Sequence, residues 1–171
     1  MLNAIYRRRS VRSYLDRPVD RDLIEEVIKA GMHAPSAMNK QPWHFIVCDT
    51  KESVMAVKNL HHASSPLNTA PVAIIVCGDT KAEFMPGFYF TDCAAATENM
   101  LIVAKDLGLD TCWMGIFPVQ DLERKFSEHF KLPEHIKPYA MVALGYGKED
   151  ILIQDRFNPD KIHYNKWEEK A

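Results

Sequence analysis

The stretch APSAMNKQPWHFIVC, residues 34–48, contains a helix end, a polar loop and the start of a strand. Pro35 fixes its own φ angle and disfavours helix at the residue before it, so a preceding helix must end there. The apolar run that begins at Trp43 predicts a strand buried on both faces. Hydroxyl and amide side chains lie between these two features, at Ser36, Asn39 and Gln41.

This polar loop has two interpretations. A rigid loop with amide donors and acceptors suits recognition of a flat polar heterocycle, because such a ring needs hydrogen bonds in its own plane and small groups near its face. An ordinary helix-to-strand turn with solvated polar groups would have the same composition. The loop alone does not decide between them.

Length and composition bound the class of protein. A chain of 171 residues with 47% hydrophobic and 26% charged residues predicts one globular domain over 1–171. Its net charge of -2 gives no electrostatic reason to bind nucleic acid or acidic membranes. The basic start lacks a following apolar region, and no run is long enough to span a bilayer. We therefore expect a soluble, cytoplasmic protein with neither nucleic acid nor membrane as partner.

The cysteines are spread widely through apolar contexts, at Cys48, Cys77, Cys93 and Cys112. No C-x-x-C pair and no cysteine–histidine pair at zinc spacing occurs, so free buried thiols and no metal site are expected.

Hydrophobic periodicity predicts helices over about 2–9, 21–33, 52–60, 91–107 and 119–130, and further strands over 72–77, 111–116 and 139–144. The helix over 91–107 is apolar nearly all round and must be buried, either in the core or against a second copy of the chain. From Lys148 onward the sequence is polar and extended, which is typical of an arm that lies across another surface.

Two further stretches have open interpretations. The run RRRSVR at 7–12 could form a cradle for phosphate, since arginine offers paired donors and stays charged; a solvated helix end is the alternative. The run FMPGFYF at 84–90 is either a mobile lid that stacks on a ring or a loop packed on the core.

Taken in order, several segments resemble the FMN-dependent nitroreductase family, in particular its short members. They are RRSVRSY near the start, APSAMNKQPWHF, APVAIIVCGD, ENMLIVAKDLGLDTCWMG, ALGYGK and DRF. The resemblance implies an α+β fold with a central, mostly antiparallel sheet flanked by helices. It also implies an intertwined homodimer with one FMN at each end of the subunit interface, and an arm from about residue 148 that contacts the partner.

The resemblance further implies roles for residues. Arg8, Arg9 and Ser10 match residues at the FMN phosphate and ribityl chain, and Arg156 matches a late arginine that also reaches the phosphate. Arg12 matches a cation near the N1/C2 edge of the isoalloxazine, where negative charge accumulates on reduction.

Two backbone segments complete the implied FMN site. The loop that approaches the flavin, in part from the partner chain, is matched by Pro35, Ser36, Ala37, Met38, Asn39 and Gln41. The strand whose N–H groups face the flavin N5/O4 side is matched by Trp113, Met114 and Gly115. The chain departs from the family at Gln154, where relatives commonly carry a lysine, and at 61–65, where histidines and serines replace an asparagine and a lysine.

The implied activity is a ping-pong oxidoreductase. NADH or NADPH passes hydride to FMN N5, and a small electron acceptor such as a nitroaromatic or quinone is then reduced. No side chain need act as a catalytic acid or base, because the cofactor carries the chemistry. The alternatives are another flavin reaction of the family, such as reductive dehalogenation or ene reduction, and a flavin-binding protein with little turnover.

Overall fold

A computed structural model describes residues 2–149 and 152–167 of the chain. Residues 1, 150–151 and 168–171 lie outside this description, so the expected arm is covered only in part. The single domain over 1–171 stays a prediction.

The described residues form five α-helices and one four-stranded sheet. The helices are α1 (Leu2–Arg7), α2 (Arg21–Met32), α3 (Lys51–Leu60), α4 (Tyr89–Asp106) and α5 (Gln120–Phe130). The strands are β1 (Trp43–Cys48), β2 (Val72–Asp79), β3 (Asp110–Gly115) and β4 (Ile136–Gly145), in the order β1-β2-β4-β3. Every neighbouring pair is antiparallel, which confirms the expected α+β fold.

The sheet separates two apolar cores, and β2 contributes to both because its side chains alternate between the faces. Ile75 lies on the face covered by α3 and α5, together with the fully buried Phe126. Ile74 lies on the face covered by α2 and α4, together with Met100. This two-sided burial explains why the sequence of β2 is continuously apolar.

Strand β1 corrects one expectation. The sequence predicts burial on both faces, but His44 is exposed and Val47 is 37% exposed. The reason is the place of β1 in the sheet, since it pairs with β2 alone among the described strands and forms an edge. The polar loop before β1 therefore also lies at a sheet edge.

Strand β4 begins three residues earlier than the pattern indicates. Pro138 lies inside it and cannot donate a ladder hydrogen bond, which argues against a strand in a purely local interpretation. The ladder with β2 shifts register between Val76 and Cys77, opposite this proline, and the irregularity accommodates it.

Helix α4 packs one face into the core and leaves another face half-buried. Cys93, Ala96, Met100 and Ala104 are fully buried on the core side, where α2 approaches closely. A Cβ on Gly31 of α2 would come within 2.9 Å of Met100 Cγ, so the small residue permits this contact. Two other residues of α4, at 102 and 103, remain half-buried. No described helix combines the length and apolar character needed to cross a membrane.

All four cysteines are free and buried, as expected. Burial raises the pKa of Cys48 to about 11 and that of Cys77 to about 12. These thiols are therefore protonated near neutral pH, which makes them poor nucleophiles.

Candidate functional site

The open edge of β3 borders a cavity of about 500 Å³. Arg12 lines it, and so does the end of β3 through Trp113, Met114 and Gly115. The segment after α3 closes the wall with His61, His62, Ala63, Ser65 and Pro66. The structure thus brings together Arg12 and the strand residues, which the sequence predicts separately.

The backbone at this edge presents hydrogen-bond donors to the cavity. In an antiparallel ladder, the N–H and C=O of one residue point to the same side, and successive residues alternate. Thr111 O accepts from Val11 N at 2.9 Å, and Gly115 O lies 2.9 Å from His61 Nε2, so residues 111 and 115 face away from β4. The N–H groups of Trp113 and Gly115 therefore point outward, toward the cavity.

Arg12 supplies positive charge at the same place. Its exposed guanidinium makes a long hydrogen bond within the described part of the chain, from Nη1 to Ser10 O at 3.3 Å. Burial raises the pKa of the Cys112 thiol, and the charge of Arg12 opposes that rise, so the charge reaches the cavity wall. Ser10 is exposed and forms an isolated bridge with Thr111, which places it at the start of the same edge.

The neighbouring arginines have other contacts in the single chain. Arg8 Nε lies 3.3 Å from Glu98 Oε1 on α4. Arg9 turns back onto α1, where its Nη1 donates to Tyr6 O at 2.8 Å and to Arg8 O at 2.7 Å. Its Nε and Nη2 are buried and have no hydrogen-bond partner among the described residues. Arg9 borders a small recess with Lys105 and does not line the Arg12 cavity.

The polar loop lies at the opposite edge of the sheet. Strands β1 and β3 are the two edges, so the loop before β1 and the cavity beside β3 are separated by three strand spacings, roughly 14 Å. The single chain therefore does not bring the cavity together with the predicted loop residues Pro35, Ser36, Ala37, Met38, Asn39 and Gln41.

The loop backbone is strained. Met38, Asn39 and Gln41 have φ values of 50°, 54° and 50°, in the left-handed region that non-glycine residues rarely occupy. Local hydrogen bonds support this shape, since Gln41 N donates to Ser36 Oγ at 2.9 Å and Gln41 Nε2 donates to Asn39 Oδ1 at 2.8 Å. Strain of this kind persists where the surroundings enforce it and is common at functional sites.

Asp92, in the first turn of α4, ties this loop to the core, a role that sequence reasoning missed. Ala37 N donates to Asp92 Oδ1 at 3.1 Å, while Asp92 Oδ2 is buried and meets no hydrogen-bond partner in the described part of the chain. The Asp92 side chain is only 5% exposed, although a lone acidic residue at a helix start is usually a solvated cap. The available signal in the sequence was an acidic residue directly before the apolar run CAAA at 93–96, which indicates a carboxylate at a buried helix start.

His61 is also left without a role by the sequence. It follows α3 directly and is buried, with its ring against Gly115 O. The His61 and His62 rings stack with centroids 5.2 Å apart, because the chain has left the helix and adjacent side chains no longer diverge.

Two further predicted segments lie away from the cavity. Arg156 and Gln154 are exposed on the described part of the arm, together with apolar side chains such as Trp167. In the 84–90 run, Phe90 packs on the core and stacks on Phe117 at 5.2 Å, whereas the residues at 84 and 88 remain exposed. The run is thus a packed loop at its end and an open one at its start.

Comparison with known proteins gives consistent matches. The sequence model of the Nitroreductase family matches residues 5–65 and 58–146. A protein of Methanothermobacter thermautotrophicus, provisionally named NADH dehydrogenase/NAD(P)H nitroreductase, is 41% identical over 98% of this chain and 87% of its own length. A Bacillus subtilis protein named FMN reductase [NAD(P)H] is 25% identical, over 92% of this chain and 72% of its own.

A solved structure extends the similarity to the fold. The crystal structure of a Clostridium acetobutylicum protein, provisionally named NADH oxidase, superimposes with a TM-score of 0.92. It is 35% identical, and the match covers 96% of this chain and 99% of that one.

Proposed function

The chain belongs to the nitroreductase family, and from this we propose that it is an FMN-dependent NAD(P)H oxidoreductase that reduces nitroaromatic or quinone-type acceptors. The observation that carries the proposal is the cavity at the open edge of β3. One exposed guanidinium and two outward backbone donors, from Trp113 and Gly115, converge on it.

The residues present fit FMN in three respects. The Trp113 and Gly115 N–H groups offer donors in a row along one strand, which suits the acceptor atoms on the edge of a flat ring system. Arg12 offers a cation beside them, where it would favour an electron-rich, reduced ring. Arg9 holds two buried donors that no described protein atom accepts from, which suits a nearby anion.

Bound FMN would supply two-electron chemistry, taking hydride from NADH or NADPH and giving it to the acceptor in a ping-pong sequence. The protein's own residues bind and orient. Arg12 stabilises negative charge in the cavity. The end of β3 holds the N–H groups of Trp113 and Gly115 in fixed directions, so that they orient the ring they bind. The nicotinamide donor favours a cytoplasmic location.

The complete site is proposed to form in an intertwined homodimer. Because the polar loop and the β3 cavity lie at opposite sheet edges, one chain cannot direct both at the same ring. A second copy can supply Pro35, Ser36, Ala37, Met38, Asn39 and Gln41. The half-buried face of α4 and the exposed apolar side chains of the arm are the surfaces available to the partner.

The phosphate of FMN is assigned to the basic start of the chain. Arg8, Arg9 and Ser10 would hold it, with Arg156 reaching it from the arm. The Arg8 side chain can turn toward the phosphate more easily than that of Arg9, since its ion-pair partner Glu98 is partly exposed and water can replace Arg8 there.

The proposal is tested on the purified chain given excess FMN. We expect a yellow dimer on gel filtration that oxidises NADH or NADPH when nitrofurazone or menadione is present. Flavin that is not bleached by either nicotinamide would favour a flavin-carrying protein. Bleaching without turnover of nitro or quinone acceptors would favour another flavin reaction.

Replacement of Arg8 by alanine should weaken FMN binding about tenfold, since a charge-assisted hydrogen bond contributes about 1.5 kcal/mol. The measurement is fluorescence titration of FMN into the apoprotein. Glu98→Gln is the matched control, because it removes the carboxylate that competes for Arg8 and should leave binding equal or tighter. Unchanged affinity in Arg8→Ala would remove Arg8 from the phosphate site.

A further inference from the structure

The wall of the β3 cavity, which Arg12 also lines, contains a buried histidine that the proposed function leaves without a role. His61 is only 6% exposed and begins the segment that follows α3. Its ring points at the end of β3, which belongs to the candidate site. When both ring nitrogens of a buried imidazole are hydrogen-bonded, the partners show which nitrogen carries the proton.

The hydrogen bonds fix which nitrogen of His61 carries the proton. Ala63 N donates to Nδ1 at 3.0 Å, so Nδ1 must be the acceptor. Nε2 then carries the proton and donates to Gly115 O, 2.9 Å away. The ring is thus held as one neutral tautomer between a donor and an acceptor of the main chain.

This contact determines what the end of β3 offers to the cavity. Gly115 O points to the same side of the strand as Gly115 N–H, and both lie at the open edge. An unmasked carbonyl there would repel the acceptor atoms N5 and O4 of a flavin. Because His61 donates to this carbonyl, the Gly115 N–H is offered to the cavity without its own carbonyl as a competing acceptor.

The segment that holds His61 is itself anchored. Ser64 Oγ lies 2.7 Å from Lys58 O and 2.6 Å from His61 O, so its one hydroxyl proton is donated to, or shared between, these carbonyls at the end of α3. Ser64 is 5% exposed. The imidazole is therefore fixed from the backbone side as well as through its ring, which suits a group that must orient another.

We propose that His61 is a positioning residue for the flavin. As the Nε2-protonated tautomer it holds the Gly115 carbonyl and thereby directs the Gly115 N–H at the cofactor edge. This inference rests on the proposed function, since it requires FMN in the β3 cavity.

The first test is the tautomer in the wild-type protein. Nitrogen-15 NMR of histidine-labelled protein distinguishes a protonated ring nitrogen from an unprotonated one. We expect a neutral ring with the proton on Nε2, assigned by loss of the signal in His61→Gln. A proton on Nδ1, or on both nitrogens at neutral pH, overturns the assignment whether or not FMN binds.

The second test compares three variants by FMN titration and by the absorption spectrum of the bound flavin. His61→Leu removes both contacts and should weaken FMN binding about tenfold and shift the flavin bands, which report hydrogen bonding at the ring edge. His61→Gln keeps one donor and one acceptor and should recover much of both properties. His129→Leu makes the same change at an exposed position on α5 and should match wild type.

The outcomes separate the two proposals. Wild-type protein that takes up no FMN overturns the proposed function and the flavin role of His61 together. Wild-type protein that binds FMN while His61→Leu matches it in affinity and spectrum overturns the His61 role alone. If His61→Leu fails to fold, the test rests on the tautomer of wild-type His61 and on the His61→Gln variant. A His61→Gln variant that folds but binds FMN tenfold more weakly, with shifted flavin bands, overturns the positioning role of His61.

Discussion

Replacing Asp92 by alanine should weaken FMN binding about a hundredfold without lowering the thermal stability of the protein. The first effect follows from the loop. Without Asp92, Ala37 N–H loses its acceptor, at a cost of about 1–3 kcal/mol. The left-handed residues Met38, Asn39 and Gln41, which each cost about 1–3 kcal/mol, would then relax. FMN binding would then have to restore the loop shape, and we expect a net loss of about 2.8 kcal/mol in binding free energy, which corresponds to a hundredfold.

The absence of a stability penalty has a separate cause. Asp92 Oδ2 is buried and no described group donates a hydrogen bond to it, so the carboxylate itself opposes folding. Alanine removes the desolvation cost of the buried carboxylate and is favourable in a helix. These gains, together with relaxation of the loop, offset the lost acceptor of Ala37 N–H. We therefore expect a melting temperature equal to or above that of wild type, as is common when a residue is retained for function at the expense of stability.

Asp92→Asn is the matched control. Its amide oxygen can still accept from Ala37 N–H, while the buried charge is gone, so FMN affinity should stay within about threefold of wild type. Hydrogen exchange of residues 35–42 measures the loop directly and should accelerate in Asp92→Ala only. Equal exchange and equal FMN affinity in the alanine variant would show that the loop holds its shape without Asp92.

Replacing Arg12 by glutamine should make bound FMN harder to reduce. Arg12 is the cation that lines the β3 cavity, and a unit charge near a developing anion contributes a few kcal/mol at the effective dielectric of a protein surface. Because Arg12 is exposed to water, we take the lower part of this range. A loss of about 1.4–2.8 kcal/mol of stabilisation of the reduced flavin corresponds to a reduction potential lower by roughly 30–60 mV for a two-electron couple. Hydride transfer from NADH should slow about tenfold to a hundredfold.

The control for Arg12 is lysine, which keeps the charge and should keep most of the potential. Reduction potentials are measured by equilibration with a reference dye, and hydride transfer by stopped-flow absorbance. Because the charge is exposed, the difference in potential between the wild-type protein and the Arg12→Gln variant should shrink at high salt. An Arg12→Gln protein with the wild-type potential would place the charge too far from the ring to matter.

Local sequence patterns predict much of this molecule. Each helix and strand is expected within about three residues of its observed place, because amphipathic periodicity and the breaks at Pro35 and Gly108 are local signals. The start of β4 is missed because Pro138 is tolerated only through a register shift supplied by β2. The edge position of β1 is missed because strand order depends on the whole sheet rather than on the strand.

The candidate site is predictable where its residues act through their own chemistry, as Arg12 does. It is not predictable where a residue acts through a distant backbone group. Asp92 meets Ala37 across 55 positions, and His61 meets Gly115 across 54. Nothing in either neighbourhood specifies such a partner, so only the folded chain shows which polar side chains hold the loop and the strand end.

The placement of the loop and the β3 cavity at opposite edges of one sheet has a genetic consequence. In the proposed pair of chains, each polypeptide contributes one half to each of two reaction centres. A lesion at Arg12 in one copy and a lesion at Asp92 in the other would fall together on a single centre and leave the second intact. Two inactive alleles expressed in one cell would then restore activity by forming mixed pairs, each with one working centre.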